Sequence, residues 1–216
     1  MKTAIVTLVT PNIEEYAKYT KKVNSEYCKE RGYDFFVESE RLSDRSPQWD
    51  KVAIAEKYID DYDLIFWIDA DAMITRFDVK IEEFLEDGKW FFICDDTPNR
   101  GYKCQQSYTL NTGGFLLDTR GRKPLIKRFV KRWWHLGELL NLQHRCWHEQ
   151  TAINILVFEL HEFNIDEMKI YPVDAFNSQF APQNTHREKK FVLHALGSSL
   201  KVRVELFTKW MEKLNL

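Results

Sequence analysis

An apolar run that stops at two aspartates constrains the fold of this chain more than any other feature. The five residues Leu64–Ile68 are all apolar, and the acidic segment Asp60–Asp63 precedes them. Such a run predicts a buried strand that ends where Asp69 and Asp71 begin. Ligands of open α/β sheets collect at the carboxyl ends of strands, and alternate strand residues point to the same side. The two carboxylates can therefore converge on Mg²⁺ or Mn²⁺ carrying a diphosphate, whereas the simpler interpretation is a strand that ends in solvated acids.

Strand and helix patterns alternate along the first half of the chain. Because β-α-β-α-β order favours parallel pairing, the sequence predicts an α/β fold with a mainly parallel central sheet and helices on both faces. No linker or repeat interrupts the chain, which predicts one domain over residues 1–216. The predicted elements of the first half are strand Thr3–Val9, a helix ending near Gly32, strand Tyr33–Val37, helix Gln48–Tyr58, the strand ending at Asp69, a short helix Val79–Leu85 and strand Trp90–Cys94.

The second half begins with a loop, predicted over Thr97–Leu110 from its polar composition. Asn111–Gly114 is then interpreted as a tight turn, or as a wall that lets a sugar approach because glycine has no side chain. The remaining predicted elements are a short strand Phe115–Asp118, a basic helix, helix Thr151–Leu160, strands Lys169–Val173 and Phe191–His194, and a closing helix Val204–Leu214.

The composition is that of a soluble globular protein. The 216 residues are 44% hydrophobic and 30% charged, and the net charge of −2 argues against a nucleic-acid or membrane partner. The four cysteines are scattered, which favours a reducing compartment, and the N-terminus resembles a strand rather than a signal peptide. We therefore expect a soluble, cytoplasmic protein without a membrane span.

One segment departs from this charge balance, because Arg120–Arg132 contains seven basic residues and no acidic ones. Its apolar residues have helical spacing, which predicts a helix with a basic solvated face. The alternative is a surface that attracts an anionic substrate.

Several polar groups stand at the ends of predicted elements, where a ligand could reach them. His194 follows a predicted strand and could add an imidazole nitrogen to the two carboxylates, a set that suits Mn²⁺ better than Mg²⁺. Backbone N–H groups near Gly197 and the ammonium of Lys201 could approach a phosphate. Glu149 and Gln150 open a predicted helix, where they either stabilise the helix terminus or face a sugar ring.

The order of these segments carries a resemblance. Trp49-Asp50-Lys51, Trp67–Ala72, Leu110–Leu117, Glu149–Ala152 and His194–Gly197 occur in the same succession as in the nucleotide-sugar glycosyltransferases of the GT-A fold. The chain resembles most closely the galactosyl-, mannosyl- and xylosyltransferases of fungi and plants. It also resembles the capsid-glycan glycosyltransferases of large algal DNA viruses, which would place it in the host cytoplasm.

The resemblance implies a Rossmann-like nucleotide-sugar half over about residues 1–110 and an acceptor and metal-completing half over 111–216. It implies Mn²⁺, with Mg²⁺ as the alternative, on Asp69, Asp71 and His194. Gln150, Glu149 and Asn111 become the candidate catalytic residues. The candidate donor-binding residues are Thr7, Leu8, Val9, Thr10, Trp49, Lys51, Asp69, Ala70, Gly113, Gly197, Ser198 and Lys201. Glu149 stands where the family usually has Asp, and Lys201 is one residue out of the usual spacing from the histidine.

The function implied is transfer of a sugar from a UDP-sugar to an acceptor hydroxyl of a glycan, with retention of anomeric configuration. An inverting enzyme would instead need a general base such as Asp95, Asp96 or Glu149. One alternative is a catalytically silent nucleotide- or carbohydrate-binding module. Another is a phosphatase of the haloacid-dehalogenase type, although such enzymes carry their aspartate pair on the first strand.

Overall fold

A computed structural model of the chain describes residues 1–95, 110–142, 148–172, 175–179 and 190–216. The predicted loop before Leu110 and the candidate base Asp96 lie outside these residues. The strands are β1 (Thr3–Leu8), β2 (Asp34–Glu38), β3 (Leu64–Ile68), β4 (Ala72–Ile74), β5 (Phe91–Asp95), β6 (Leu110–Asp118), β7 (Met168–Tyr171), β8 (Ser178–Gln179) and β9 (Val192–His194). The α-helices are α1 (Glu14–Arg31), α2 (Asp50–Tyr58), α3 (Lys123–Leu139), α4 (His148–Phe158) and α5 (Leu200–Leu214).

Six strands form the central sheet in the order β2-β1-β3-β6-β5-β7. β6 pairs antiparallel with both of its neighbours, while the other pairs in this sheet are parallel. The mainly parallel α/β fold is therefore confirmed. A second sheet, β4-β9-β8, continues from the Asp69–Asp71 segment.

The tight turn predicted over Asn111–Gly114 is wrong, because these residues lie within β6. Ile68 pairs with Gly114 on one side of β6, and Cys94 pairs with Asn111 on the other. Backbone pairing on both sides outweighs the turn preference of the Asn-Thr-Gly-Gly sequence, since propensity is a weak guide inside a sheet.

Side chains of β3 alternate between two cores, as the period of a strand requires. Ile65 and Trp67 pack in a cluster with residues of α2, α3 and α4. Leu64, Phe66 and Ile68 pack on the opposite face with Tyr27 of α1. Helices therefore cover both faces of the sheet, and α5 packs beside α1. The predicted buried strand is buried along its whole length.

Local hydrogen bonds fix the ends of two helices. α1 ends at Gly32, whose left-handed backbone (φ 72°) lets its N–H bond the carbonyl of Cys28. α5 begins at Leu200, four residues earlier than predicted, because the Ser199 hydroxyl accepts the backbone N–H of Val202. The earlier start places Arg203 in the first turn of α5.

The basic segment forms α3, and its cations pair with acidic groups of neighbouring elements. Lys127 binds Asp60 at 2.5 Å, and Arg132 binds Glu162 at 2.5 Å. Exposed ion pairs of this kind contribute little stability. Each pair also neutralises a positive charge that would otherwise attract an anionic substrate. Within the part of the chain that the structure describes, no helix combines the length and apolar character needed to cross a bilayer.

Candidate active site

Strand pairing brings together groups that are far apart in sequence. The backbone N–H of Asp69 donates to the carbonyl of Gly113 at 2.8 Å, just beyond the β3–β6 ladder. Ala72 pairs with His194 across β4 and β9, and the N–H of Ala195 donates to the carbonyl of Asp71 at 2.8 Å. The carboxyl end of β3 is thus the meeting point of both halves of the chain.

Asp69, Asp71 and His194 form a cluster that could hold a metal ion. One ligand atom from each residue lies within 4.8 Å of the others, with Asp71 and His194 buried and Asp69 partly exposed. Carboxylate oxygens together with an imidazole nitrogen are a donor set that suits Mn²⁺. The residues predicted as metal ligands therefore meet in space, and their chemistry fits the ion.

Asp71 is held as a carboxylate by two cationic partners. The imidazole Nε2 of His194 lies 3.1 Å from one oxygen, and a guanidinium nitrogen of Arg203 donates to the other at 2.8 Å. Burial would raise the pKa of Asp71, but His194 and Arg203 outweigh it and lower the pKa to about 2. The same contact with Asp71 raises the pKa of His194 against the opposing effect of burial.

Lys51 connects Asp69 with Glu149. Its buried ammonium lies 2.9 Å from Asp69 and 3.1 Å from Glu149, and it donates to the carbonyl of Thr112 at 3.1 Å. Burial opposes the charge, yet the two carboxylates outweigh it and raise the pKa of Lys51, so the ammonium stays protonated. The indole N–H of Trp67 donates to Asp69 at 2.7 Å and fixes that carboxylate further.

Glu149 is committed to internal partners. Besides Lys51, it accepts the hydroxyl of Thr112 at 2.8 Å, and its side chain is nearly fully buried. Gln150 accepts the backbone N–H of Thr112 at 3.2 Å. Glu149 and Gln150 therefore face the same strand, β6, from the first turn of α4.

Two adjoining cavities meet at these residues. We name them after the ligands that the resemblance seen in the sequence implies: the nucleotide cavity has a volume of about 390 Å³, and the sugar cavity about 290 Å³. Gln48, Lys51, Asp69 and Leu196 line both cavities. The nucleotide cavity is also lined by Leu8, Thr10, Tyr16, Ala70, Asp71 and Arg203. The sugar cavity is also lined by Asn111, Gly113, His148, Glu149, Gln150 and His194.

Three predicted donor contacts lie inside the protein instead of at a cavity wall. Trp49 is fully buried against Trp134 in the core beside α3. Thr7 and Val9 are buried along and just after β1. The sequence around Trp49 does not show whether its side chain packs in the core or faces a cavity. For this reason Trp49 was predicted to contact the donor, although it lies in the core.

The residues predicted to contact phosphate do not line either cavity. Gly197 and Ser198 lie in the turn before α5, where the Ser198 N–H donates a hydrogen bond to the carbonyl of Ala195. Lys201 is 85% exposed and lies 3.8 Å from Glu205 on its own helix. Arg203, which the sequence reasoning missed, is the α5 cation that lines the nucleotide cavity.

Other residues that were not predicted from the sequence also line the cavities or contact the residues that do. Tyr16 lines the nucleotide cavity under the Arg203 guanidinium, and burial, followed by the Asp71 charge, raises its pKa to about 12. Gln48 lines both cavities, and His148, whose φ is 32°, lines the sugar cavity beside Glu149. Asn177 lies behind His194 and holds its ring. No spacing or motif in the sequence distinguishes these residues from ordinary surface or core positions.

Gly113 does not open a path for a sugar. A Cβ atom on Gly113 would lie 2.2 Å from Cε1 of His194, and one on Gly114 would lie 3.4 Å from Asn177. The missing side chains therefore make room for protein groups, although the backbone of Gly113 still lines the sugar cavity.

Residues 3–89, which include Lys51, Asp69 and Asp71, match the family model of the galactosyl transferase GMA12/MNN10 family. No curated protein matches the chain. The matched segment carries both aspartates at the end of β3 and covers less than half of the chain.

Solved structures show the fold of nearly the whole chain. A glycosyltransferase involved in glycosylation of the major capsid of PBCV-1 is 18% identical, with a TM-score of 0.78 over 97% of this chain and 100% of that one. The galactosyltransferase LgtC, solved with donor and acceptor sugar analogues, is 14% identical, with a TM-score of 0.62 over 97% and 95%. GlyE of Streptococcus pneumoniae TIGR4 is 13% identical, with a TM-score of 0.62 over 97% and 60%. The chain has the GT-A glycosyltransferase fold.

Proposed function

We propose that the protein transfers a sugar from a UDP-sugar to an acceptor hydroxyl of a glycan, with a divalent metal ion and with retention of configuration. The observation that carries the proposal is the arrangement of two cavities that meet at Asp69, beside Asp71 and His194. A nucleotide diphosphate in one cavity and its sugar in the other would place the bond to be broken at this cluster.

The nucleotide cavity would take the uridine and the diphosphate. Leu8 and Thr10 come from the end of β1, where the base and ribose are expected, and Ala70 and Asp69 continue the wall. Arg203 would take the phosphate-binding role that was predicted for Lys201, because its guanidinium lines this cavity whereas Lys201 is largely exposed. A guanidinium also matches phosphate oxygens with two parallel hydrogen bonds.

Asp69, Asp71 and His194 would hold Mn²⁺, with Mg²⁺ as the alternative. A metal ion bound there supplies Lewis-acid stabilisation of the charge on the departing diphosphate. The low pKa of Asp71 means that this side chain is already a carboxylate at neutral pH and needs no proton loss before it binds a cation. Arg203 would neutralise phosphate charge from the opposite side of Asp71.

Retention is supported by the state of the carboxylates at the sugar cavity. Asp69 and Glu149 both pair with Lys51, and Glu149 also accepts the Thr112 hydroxyl. These partners already occupy the oxygens that would have to accept a proton or attack a carbon, and Asp95 lies at a separate cavity with Tyr171. Gln150 would then stabilise the reacting carbon with its amide, and the donor's own phosphate would accept the proton of the attacking hydroxyl.

Asn111 has a more restricted role than a free sugar contact. Its amide oxygen already accepts the N–H of Gly113 and the side-chain amide of Asn177, both at 2.8 Å. Its amide nitrogen is the remaining group for a sugar hydroxyl. The whole chain, 1–216, would act as one catalytic domain, with the donor half before Leu110 and the acceptor half after it.

The test is UDP release from a panel of UDP-sugars with Mn²⁺, starting with UDP-galactose because the matched family is described by galactosyl transfer. Anomeric NMR of the product then compares its configuration with that of the donor. Turnover with retained configuration supports the proposal, and an inverted product would remove Gln150 from its role. Tight UDP binding without turnover on any donor would instead indicate a silent binding module.

A further inference from the structure

A buried chain of hydrogen bonds connects the backbone of β6 with the candidate metal ligand His194. The N–H of Gly113 donates to the amide oxygen of Asn111 at 2.8 Å, and the side-chain nitrogen of Asn177 donates to the same oxygen at 2.8 Å. The amide oxygen of Asn177 lies 3.0 Å from Nδ1 of His194. All three side chains are at most a few per cent exposed.

The first link fixes the direction of every later one. A backbone N–H can only donate, so the Asn111 atom that faces Gly113 must be the amide oxygen. Asn177 must then present its NH₂ group to that oxygen and its own oxygen to His194. His194 must therefore donate from Nδ1, whether the ring is protonated or neutral, and Nε2 is the nitrogen that faces Asp71, 3.1 Å away.

Packing holds the same groups in place. The imidazole of His194 occupies the space where a Cβ of residue 113 would lie, and Asn177 packs over the backbone of Gly114. Because neither glycine has a Cβ, the imidazole and the amide can each lie close to the backbone of β6. A ring clamped on one side and hydrogen-bonded on the other has little freedom to turn.

We propose that Asn177 is a positioning residue that holds His194 in the Nδ1–H tautomer and so prepares Nε2 to bind a divalent metal ion. This inference rests on the metal site of the proposed function. Partners of ligating histidines fix the tautomer and ring orientation, and their loss commonly costs about 10- to 100-fold in metal affinity. Asn111 contributes through Asn177 as well as through the sugar cavity.

Two substitutions of Asn177 separate its two hydrogen bonds. Asn177→Leu keeps the volume but removes the acceptor for His194, so calorimetric titration with Mn²⁺ alone should show about 10- to 100-fold weaker binding. Asn177→Asp keeps that acceptor but sets a carboxylate against the Asn111 oxygen, so it should unfold at lower temperature yet bind Mn²⁺ within about threefold of the native protein. Thr119→Val is the control, since it removes a buried hydroxyl bonded to the Tyr62 carbonyl, outside both cavities.

The outcomes distinguish this inference from the proposed function. Equal Mn²⁺ binding by the native protein and Asn177→Leu overturns the inference alone, as does a loss in Asn177→Asp as large as that in Asn177→Leu. If the native protein binds no Mn²⁺, the proposed metal site fails with it. Should Asn177→Leu not fold, side-chain ¹⁵N NMR of neutral His194 in the native metal-free protein decides, because an Nε2–H tautomer would overturn the inference.

Discussion

The two cavities differ in what their charged groups are already bound to. In the nucleotide cavity, Arg203 binds Asp71 but is 21% exposed, so its guanidinium can turn to an incoming phosphate. Where the sugar cavity adjoins it, Lys51 pairs with both Asp69 and Glu149, and Lys51 and Glu149 are almost completely buried. The first cavity offers a partly exposed cation to an anionic ligand, whereas the ionic groups at the second are already paired inside the protein.

This difference in pairing bears on which charged groups could stabilise charge during the proposed reaction. Buried charges that already have partners keep a cavity in shape, and breaking such a pair is costly because the remaining charge is left without water. Under the proposed function, charge on a departing diphosphate would be met by Arg203 and by a metal ion held on Asp71 and His194, where the two cavities meet. Substitutions of Asp71, Lys51, Arg203 and Gly113 test this division.

Replacing Asp71 should have the largest effect. Asp71→Ala removes the carboxylate between His194 and Arg203, so we expect metal-dependent turnover to fall on the order of a thousandfold, the equivalent of about 4 kcal/mol. Asp69→Ala should also weaken binding of UDP, because Asp69 lines both cavities. Steady-state UDP release and Mn²⁺ titration check both variants. Native-like Mn²⁺ and UDP binding in the two variants would show that the aspartates are not the site.

Replacing Lys51 tests whether the sugar cavity depends on its internal ion pairs. Lys51→Met leaves Asp69 and Glu149 without their shared cation, and we expect the free energy of unfolding to fall by about 3–5 kcal/mol. Lys57→Met is the matched control on the same helix, since Lys57 is 56% exposed and its pair with Glu38 should be worth at most about 1 kcal/mol. Urea denaturation measures both. Similar losses in the two variants would contradict the contrast between the cavities.

Replacing Arg203 tests the nucleotide cavity against the sequence-based choice of Lys201. Arg203→Ala should weaken UDP binding about 10- to 100-fold, because hydrogen bonds to charged groups contribute about 1.5–3 kcal/mol. Lys201→Ala, two residues away on the same helix, should leave UDP affinity nearly unchanged. Calorimetric titration with UDP distinguishes the two variants. A larger loss of UDP affinity in Lys201→Ala than in Arg203→Ala would indicate that Lys201 binds the phosphate.

Adding one methyl group to Gly113 tests what the glycine is for. In Gly113→Ala the new Cβ meets the His194 ring at 2.2 Å, and such overpacking should cost about 1–3 kcal/mol of unfolding free energy. Mn²⁺ affinity should fall with it, because the ring must move. Gly88→Ala, at a left-handed glycine remote from both cavities, controls for simple destabilisation. A stable Gly113→Ala variant that binds Mn²⁺ normally would mean that His194 is not seated on this strand.

Sequence patterns with short range predicted much of this molecule correctly. The apolar Leu64–Ile68 strand, the alternation of strands and helices, and the position of Asp69 and Asp71 at a strand end follow from periodicity over a few residues. The family resemblance also anticipated that His194 would lie beside the two aspartates. These features needed no knowledge of which distant segments touch.

Contacts between distant segments decided the rest. Asn111–Gly114 became a strand because β3 and β5 pair with it on both sides, and its glycines then seat His194 and Asn177. The choice of Arg203 over Lys201 follows from the geometry of α5. Residues two positions apart on a helix of 3.6 residues per turn point in nearly opposite directions.

Local apolar periodicity and chain order specify buried strands and their helical connections, so the α/β fold and the acidic end of β3 can be predicted from the amino-acid sequence. The side chains that complete the site depend instead on contacts between distant segments. His194 and Arg203 reach Asp71 through strand pairing and helix docking across more than a hundred residues of sequence, and Asn177 contacts His194 behind it. No local pattern encodes a distance between residues that are so far apart in the chain.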